Sequence, residues 1–119
     1  VYIDANNNGV QDTGELPIAG VTLVLTGADT LGNQVNLTQT TDVNGNYLFS
    51  GLAAGTYTVT ETQPPGFRDG IETLGTGANA SSADNVFTQL GLGVDADAVG
   101  FNFGELNEAL SKRQFLTST

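Results

Sequence analysis

The chain is expected to fold as an all-β sandwich, and three observations lead there. Short stretches rich in β-branched and aromatic residues recur, with apolar side chains at every second position. Clusters of Gly, Pro, Asn and Asp punctuate them. No stretch before residue 105 carries a helical period. Several short strands separated by turn signals indicate two antiparallel sheets packed face to face.

Val1-Tyr2-Ile3 reads as the end of a strand. Val21 to Thr26 is a strand with Val21, Leu23 and Leu25 on one face. Gly27 to Asn33 is a turn-rich connection, and Gln34 to Thr41 is extended and polar, as suits a sheet edge. Asp42-Val43-Asn44-Gly45-Asn46 reads as a hairpin turn around Asn44-Gly45, with Tyr47 and Phe49 following on one face. Thr56 to Thr62 alternates Tyr57 and Val59 with threonines, and Pro64-Pro65-Gly66 ends it. Residues 67–85 lack periodicity and are expected to form a long loop with one short strand near Ile71. Val86 to Leu92 is a further strand. Val99, Phe101 and Phe103 mark a last one, ending at Gly104-Glu105.

Asp4 to Glu15 matches a twelve-residue calcium loop of EF-hand type. Asp4, Asn6 and Asn8 fill loop positions 1, 3 and 5, and Gly9 sits at the sharp turn of position 6. Val10 offers its backbone carbonyl, Asp12 a ligand often reached through water, and Glu15 the bidentate carboxylate. Calcium is a hard cation that takes 6–8 oxygens, and this spacing supplies them. The plainer alternative is an Asn/Gly-rich surface turn with no metal. An EF-hand has a helix on each side, whereas here a strand end precedes the loop and Leu16-Pro17-Ile18-Ala19-Gly20 follows it. The loop is therefore expected to staple a strand junction rather than open a helix pair.

Composition narrows the function classes. The 119 residues suit one domain with one core. Thirteen acids against three bases give a net charge of −10. That balance opposes nucleic acid and anionic membrane surfaces, and no apolar run is long enough to span a bilayer. It suits divalent cations or a basic partner. The chain has no Cys and no His, so disulfides, thiolate or imidazole metal sites and Ser-His or Cys-His nucleophiles are excluded. The missing initial Met is read as a processed chain or an excised segment.

The loop, then Ile18-Ala19-Gly20-Val21-Thr22, Thr41 to Phe49, Gly55 to Phe67 and Phe101-Asn102-Phe103-Gly104-Glu105 together resemble one family. It is the SdrD B-like repeat domain of large bacterial surface proteins, related to collagen-adhesin B-type domains. The resemblance spans roughly residues 1–106, in order. It implies a prealbumin-like Greek-key β-sandwich with a Ca2+ loop lacking flanking helices, used as a rigid stalk, spacer or matrix module. It also implies an extracellular place at a bacterial cell surface or in a matrix, beside tandem repeats or neighbouring copies of the same domain. Related domains carry an internal Lys–Asn isopeptide bond, but the only lysine here is Lys112, beyond the sandwich.

Residues 1–106 are expected to form the domain and 107–119 a tail or linker. The tail carries Lys112 and Arg113, whereas twelve acids lie before it. Such a tail can dock on a neighbour as an added strand, head to tail, or fold back on its own domain. A second candidate calcium set is Asp42, Asp95 and Asp97, against an Asx turn at Asp42 and a solvated loop at the other two. Asp69, Glu72 and Asp84 read as solvated loop acids, and Glu61 as a surface partner for Arg68. Paired carboxylates invite a glycosidase reading, but no cleft-lining aromatics accompany them and no enzymatic activity is expected. Asn36-Leu37-Thr38 and Asn79-Ala80-Ser81 match the glycosylation sequon. Three readings follow: a non-catalytic calcium-stabilised structural module, an adhesin domain binding a host or matrix ligand, and a subunit of a self-assembling extracellular filament. Surface aromatics would mark the adhesin.

Overall fold

The computed structural model describes residues 1–107. They form eight strands: β1 (Tyr2–Ile3), β2 (Thr22–Asp29), β3 (Gln34–Thr40), β4 (Gly55–Glu61), β5 (Phe67–Thr73), β6 (Asn79–Ala83), β7 (Val86–Leu92) and β8 (Asn102–Asn107). No helix occurs among the described residues. One sheet has the order β1-β8-β5 and the other β3-β2-β4-β7-β6. The β1–β8 pair is parallel and the other pairs are antiparallel. The proposed docking of the tail falls, from residue 108 on, outside the described residues.

The core lies between the sheets. Val21, Leu23 and Leu25 enter it from β2 and the residue before it, as their alternation predicts. Tyr57 and Val59 come from β4, Phe87 and Leu90 from β7, and Phe101 and Phe103 from β8 and its start. Phe87 stands 4.6 Å from Phe103 and 5.3 Å from Phe101, ring centre to ring centre, the latter edge-on. Such side chains each contribute about 1.5–3 kcal/mol on full burial. Thr41 is buried but satisfied: its hydroxyl donates to Ile18 O at 2.7 Å and accepts from Val21 N at 3.0 Å.

Two bulges explain where period-two reasoning fails. On β7 the register against β4 passes from Leu90 to Phe87 while β4 passes from Tyr57 to Val59. The extra residue lets Phe87 and Leu90, three apart, both face inward. Gln89 takes up the turn with φ 53°. On β5 the register passes from Asp69 to Glu72 while β8 passes from Glu105 to Phe103. That places Asp69 and Glu72 on one face too.

Four sequence expectations need correction. Residues 67–85 hold two strands, β5 and β6, not a loop with one short strand. The β5 bulge interrupts its period, and the small residues of β6 (Asn-Ala-Ser-Ser-Ala) give an outer strand with no apolar signature. The Asp42–Asn46 turn forms, but no strand follows it. Tyr47 and Phe49 instead lie against the core, and the Tyr47 hydroxyl donates to Phe101 O at 2.8 Å. The last strand begins at Asn102 and runs to Asn107, while Val99 is exposed in a single bridge with Thr76. Glu61 does not sit at the surface with Arg68; it is buried beside Glu105, and Arg68 is exposed. Val43 and Leu48 are exposed, and β3 is the outer strand that its polarity predicts.

Candidate functional site

The Asp4–Glu15 loop leaves β1 and returns beside it. Ile3 N donates to Leu16 O at 2.8 Å, and Tyr2 bridges Pro17, so the loop has a closed neck. Asp4 is fully buried. Its carboxylate accepts from Gly9 N at 2.7 Å and Asn8 N at 3.2 Å, and its own N–H donates to Glu105 O of β8 at 2.8 Å. Glu15 spans the loop, accepting from Ala5 N and Asp12 N, each at 2.8 Å. The amides of Asn6 and Asn8 both donate to Asp12 Oδ2 at 2.9 Å. Val10 N donates to Asn8 Oδ1 at 3.0 Å.

Gly9 is required at the apex. Its φ is +80°, and an added Cβ would stand 3.1 Å from Ile71 Cγ2. Thr73 Oγ1 donates to Gly9 O at 2.6 Å, so the apex is tied to β5. The loop thus touches all three strands of the smaller sheet.

The donor set fits a hard cation: Asp4, Asn6, Asn8, Asp12 and Glu15 side chains and the Val10 carbonyl offer oxygen. The Tyr2 hydroxyl is buried with no partner at the same place. Burial, then the charges of Asp4, Glu15 and Asp12, push that phenol up to about 12. Asp4, Asp12 and Glu15 do not form a group with all three oxygens within 4.8 Å of one another; each carboxylate instead accepts hydrogen bonds within the loop.

The second set is dispersed. Asp42 Oδ1 accepts from Asn44 N at 2.9 Å and Asn46 N at 3.0 Å, an Asx turn. Asp95 and Asp97 are exposed after β7. Among the described residues, no group of three acids within reach of one ion includes any of the three.

Two such groups form elsewhere: Glu61, Asp69 and Glu105, and Asp69, Glu72 and Asp84. Glu61 and Glu105 are buried at the ends of β4 and β8. Gln63 Nε2 donates to Glu105 Oε2 at 2.5 Å. Burial above all, then Glu105, raises the Glu61 carboxyl far above the usual range, and burial raises Glu105 as well. Burial, then hydrogen bonding and repulsion from Glu72 and Asp84, pushes Asp69 up to about 7. The sequence did hold a signal. Continuing Tyr57, Val59 by two gives Glu61, and Phe101, Phe103 by two gives Glu105.

The described fold and loop define an acidic, two-sheet β domain with an oxygen-rich, hydrogen-bonded loop after its first strand. The chain belongs to the SdrD B-like domain family, whose model matches residues 1–104. It is similar to serine-aspartate repeat-containing protein C of Staphylococcus aureus strain Newman, with 38% identity over 104 residues, 87% of this chain and 10% of that protein. The protein of the same name in strain N315 is 38% identical over 108 residues, covering 87% of this chain and 10% of its own length. The chain therefore spans about a tenth of the length of the curated relatives it matches. No solved structure matches it.

Proposed function

We propose that this domain is a non-catalytic, calcium-stabilised extracellular structural module of a bacterial surface or matrix protein, set in series with other domains. The observation that carries the reading is the loop's attachment: Asp4 bonds to β8, Gly9 to β5, and the neck closes on β1. Calcium, when bound, supplies positive charge at the centre of these oxygens. The chain's own residues do the rest: Asp4 and Glu15 order the loop backbone, and Thr73 fixes its apex to the sheet. No helix flanks the loop, so the expected effect is stiffening of the small sheet, not a switch.

Family membership supports a surface module. Among the described residues no aromatic side chain is exposed, which weighs against an aromatic-anchored adhesin face. An open groove of about 270 Å³ is lined by residues including Ile18, Val21, Thr62, Gln63, Pro64 and Phe67, and none of its lining side chains titrates. The close carboxylate pair Glu61 and Glu105 is buried rather than open to a substrate cleft. Both points support a non-catalytic role.

The test is thermal melting with calcium and in chelator, for the native sequence and Glu15→Gln. Saturation at about a hundredfold over Kd stabilises by roughly 2.7 kcal/mol. The native sequence should melt higher with calcium, and Glu15→Gln should lose most of that rise. Equal melting in both conditions refutes the reading.

A further inference from the structure

We propose that Glu61, Asp69 and Glu105, with the side-chain carbonyls of Gln63 and Asn85, form a buried calcium site separate from the Asp4–Glu15 loop. One carboxylate oxygen from each of the three acids lies within 4.8 Å of the others. Opposed oxygens on one calcium ion are about 5 Å apart, so the spacing suits it. Glu61 is 3% exposed and Glu105 0%. As carboxylates, Glu61 Oε2 and Glu105 Oε1 accept no hydrogen bond; a proton shared between the two acids is the competing way to satisfy them. Burying carboxylate oxygens without a partner is costly, and a cation is the partner that satisfies several at once.

Asn85 reaches into the same group. With its amide nitrogen turned inward, its two N–H groups face three acceptors, Glu61 Oε1 at 2.8 Å, Asp69 Oδ1 at 2.9 Å and Gln63 Oε1 at 3.0 Å. With the amide turned the other way, it presents a carbonyl oxygen to the same centre. Its backbone is fixed: φ is 63°, its O accepts from Glu61 N at 2.8 Å, and its N donates to Glu72 Oε1 at 3.1 Å. The amide therefore fills the centre without an ion and coordinates one when it is present.

Every group here is an oxygen donor, which favours calcium over thiolate- or imidazole-seeking metals. Magnesium keeps several waters and does not suit a buried cage. Access is provided by the neighbouring group: Asp84 is exposed, Glu72 and Asp69 are half-buried, and Asp69 is common to both. A cation at this point would join β4 of the larger sheet to β5 and β8 of the smaller one.

The site does not rest on the loop, and one experiment separates the two. Equilibrium dialysis against radiolabelled calcium near neutral pH should show one ion fewer per domain for Glu61→Gln with Glu105→Gln. It should also show one fewer for Asp12→Asn with Glu15→Gln. The amide pair removes the cost of burying two acids side by side, so its calcium-free melting temperature should rise while its calcium-induced rise shrinks. Asp69→Asn, a milder change on the half-buried side, should weaken one class of ion at least tenfold and leave the other unchanged. If the loop variant loses no ion while the Glu61/Glu105 variant loses one, the loop reading fails and this one stands. If the Glu61/Glu105 variant and Asp69→Asn both bind calcium as the native sequence does, the acids merely share a proton and the proposal is overturned.

Discussion

Asp4→Ala separates what the loop owes to its own backbone from what it owes to an ion. In calcium-depleted buffer the substitution removes the acceptor of two hydrogen bonds, Gly9 N at 2.7 Å in a buried place and Asn8 N at a longer 3.2 Å. Hydrogen bonds to charged groups contribute about 1.5–3 kcal/mol, so the short one is worth about 2 and the long, half-exposed one about 1 kcal/mol. Losing Asp4 also relieves repulsion from Asp12 and Glu15, which offsets about 1 kcal/mol at near-surface dielectric. The net loss is about 2 kcal/mol, which for a domain of this size lowers Tm by roughly 8 °C. Asp4→Asn keeps one acceptor oxygen and should lose about half as much. Circular dichroism melts of the three proteins in calcium-depleted buffer measure this. An Asp4→Ala protein that melts within about 2 °C of the native sequence would refute the idea that the carboxylate organises the empty loop.

Three further outcomes are expected. Phe103→Ala, which empties the contact with Phe87, should cost about 3–5 kcal/mol in chemical denaturation, with or without calcium. Thr41→Val strands Ile18 O and Val21 N and should cost about 1–3 kcal/mol by the same assay, although the shape is preserved. The calcium-free protein should melt higher near pH 5 than near pH 8. Asp69, pushed up to about 7, and Glu61, raised further, hold protons in the fold that the unfolded chain has released above about pH 4. Their contribution is complete below that point and is lost as pH rises through the folded values. Glu61→Gln with Glu105→Gln should flatten the slope in part, leaving the share due to Asp69; an unchanged slope would remove the two glutamates as its cause.

The sheets carried by clear alternation were legible in the sequence. Val21, Leu23 and Leu25 could face only one way, and they line the core. The strands that escaped notice lack that signal for physical reasons. In β5 an inserted residue at Gly70–Ile71 shifts the phase, and in β6 no side chain is large enough to mark a face. Tyr47 and Phe49 have strand-like spacing but bury against the core without a partner strand, which spacing alone does not distinguish. The hydrogen-bonded closure of the Asp4–Glu15 loop was legible because its Asp, Asn and Gly spacing is local. The Glu61–Asp69–Glu105 group was not, because it is assembled from three strands in two sheets. Its two inward glutamates followed the period of their strands, and reading acids as surface residues hid them.

β1 and β8, the first and last strands of the described fold, lie side by side and run parallel. In a string of such domains, tension arrives at one end of β1 and leaves at the opposite end of β8. The two strands are then dragged past each other in shear instead of being peeled apart bond by bond. Yet only Tyr2 opposite Gly104 and Ile3 opposite Glu105 are in register. So short a seam cannot bear the load alone, and the force passes at once to Asp4, whose N–H grips Glu105 O, and into the loop behind it. Were the domain set in series and the loop to hold a cation as proposed, the yield point of each link would be set by the Asp4–Glu15 loop and by Glu105, and the strength of the string would follow the surrounding cation concentration.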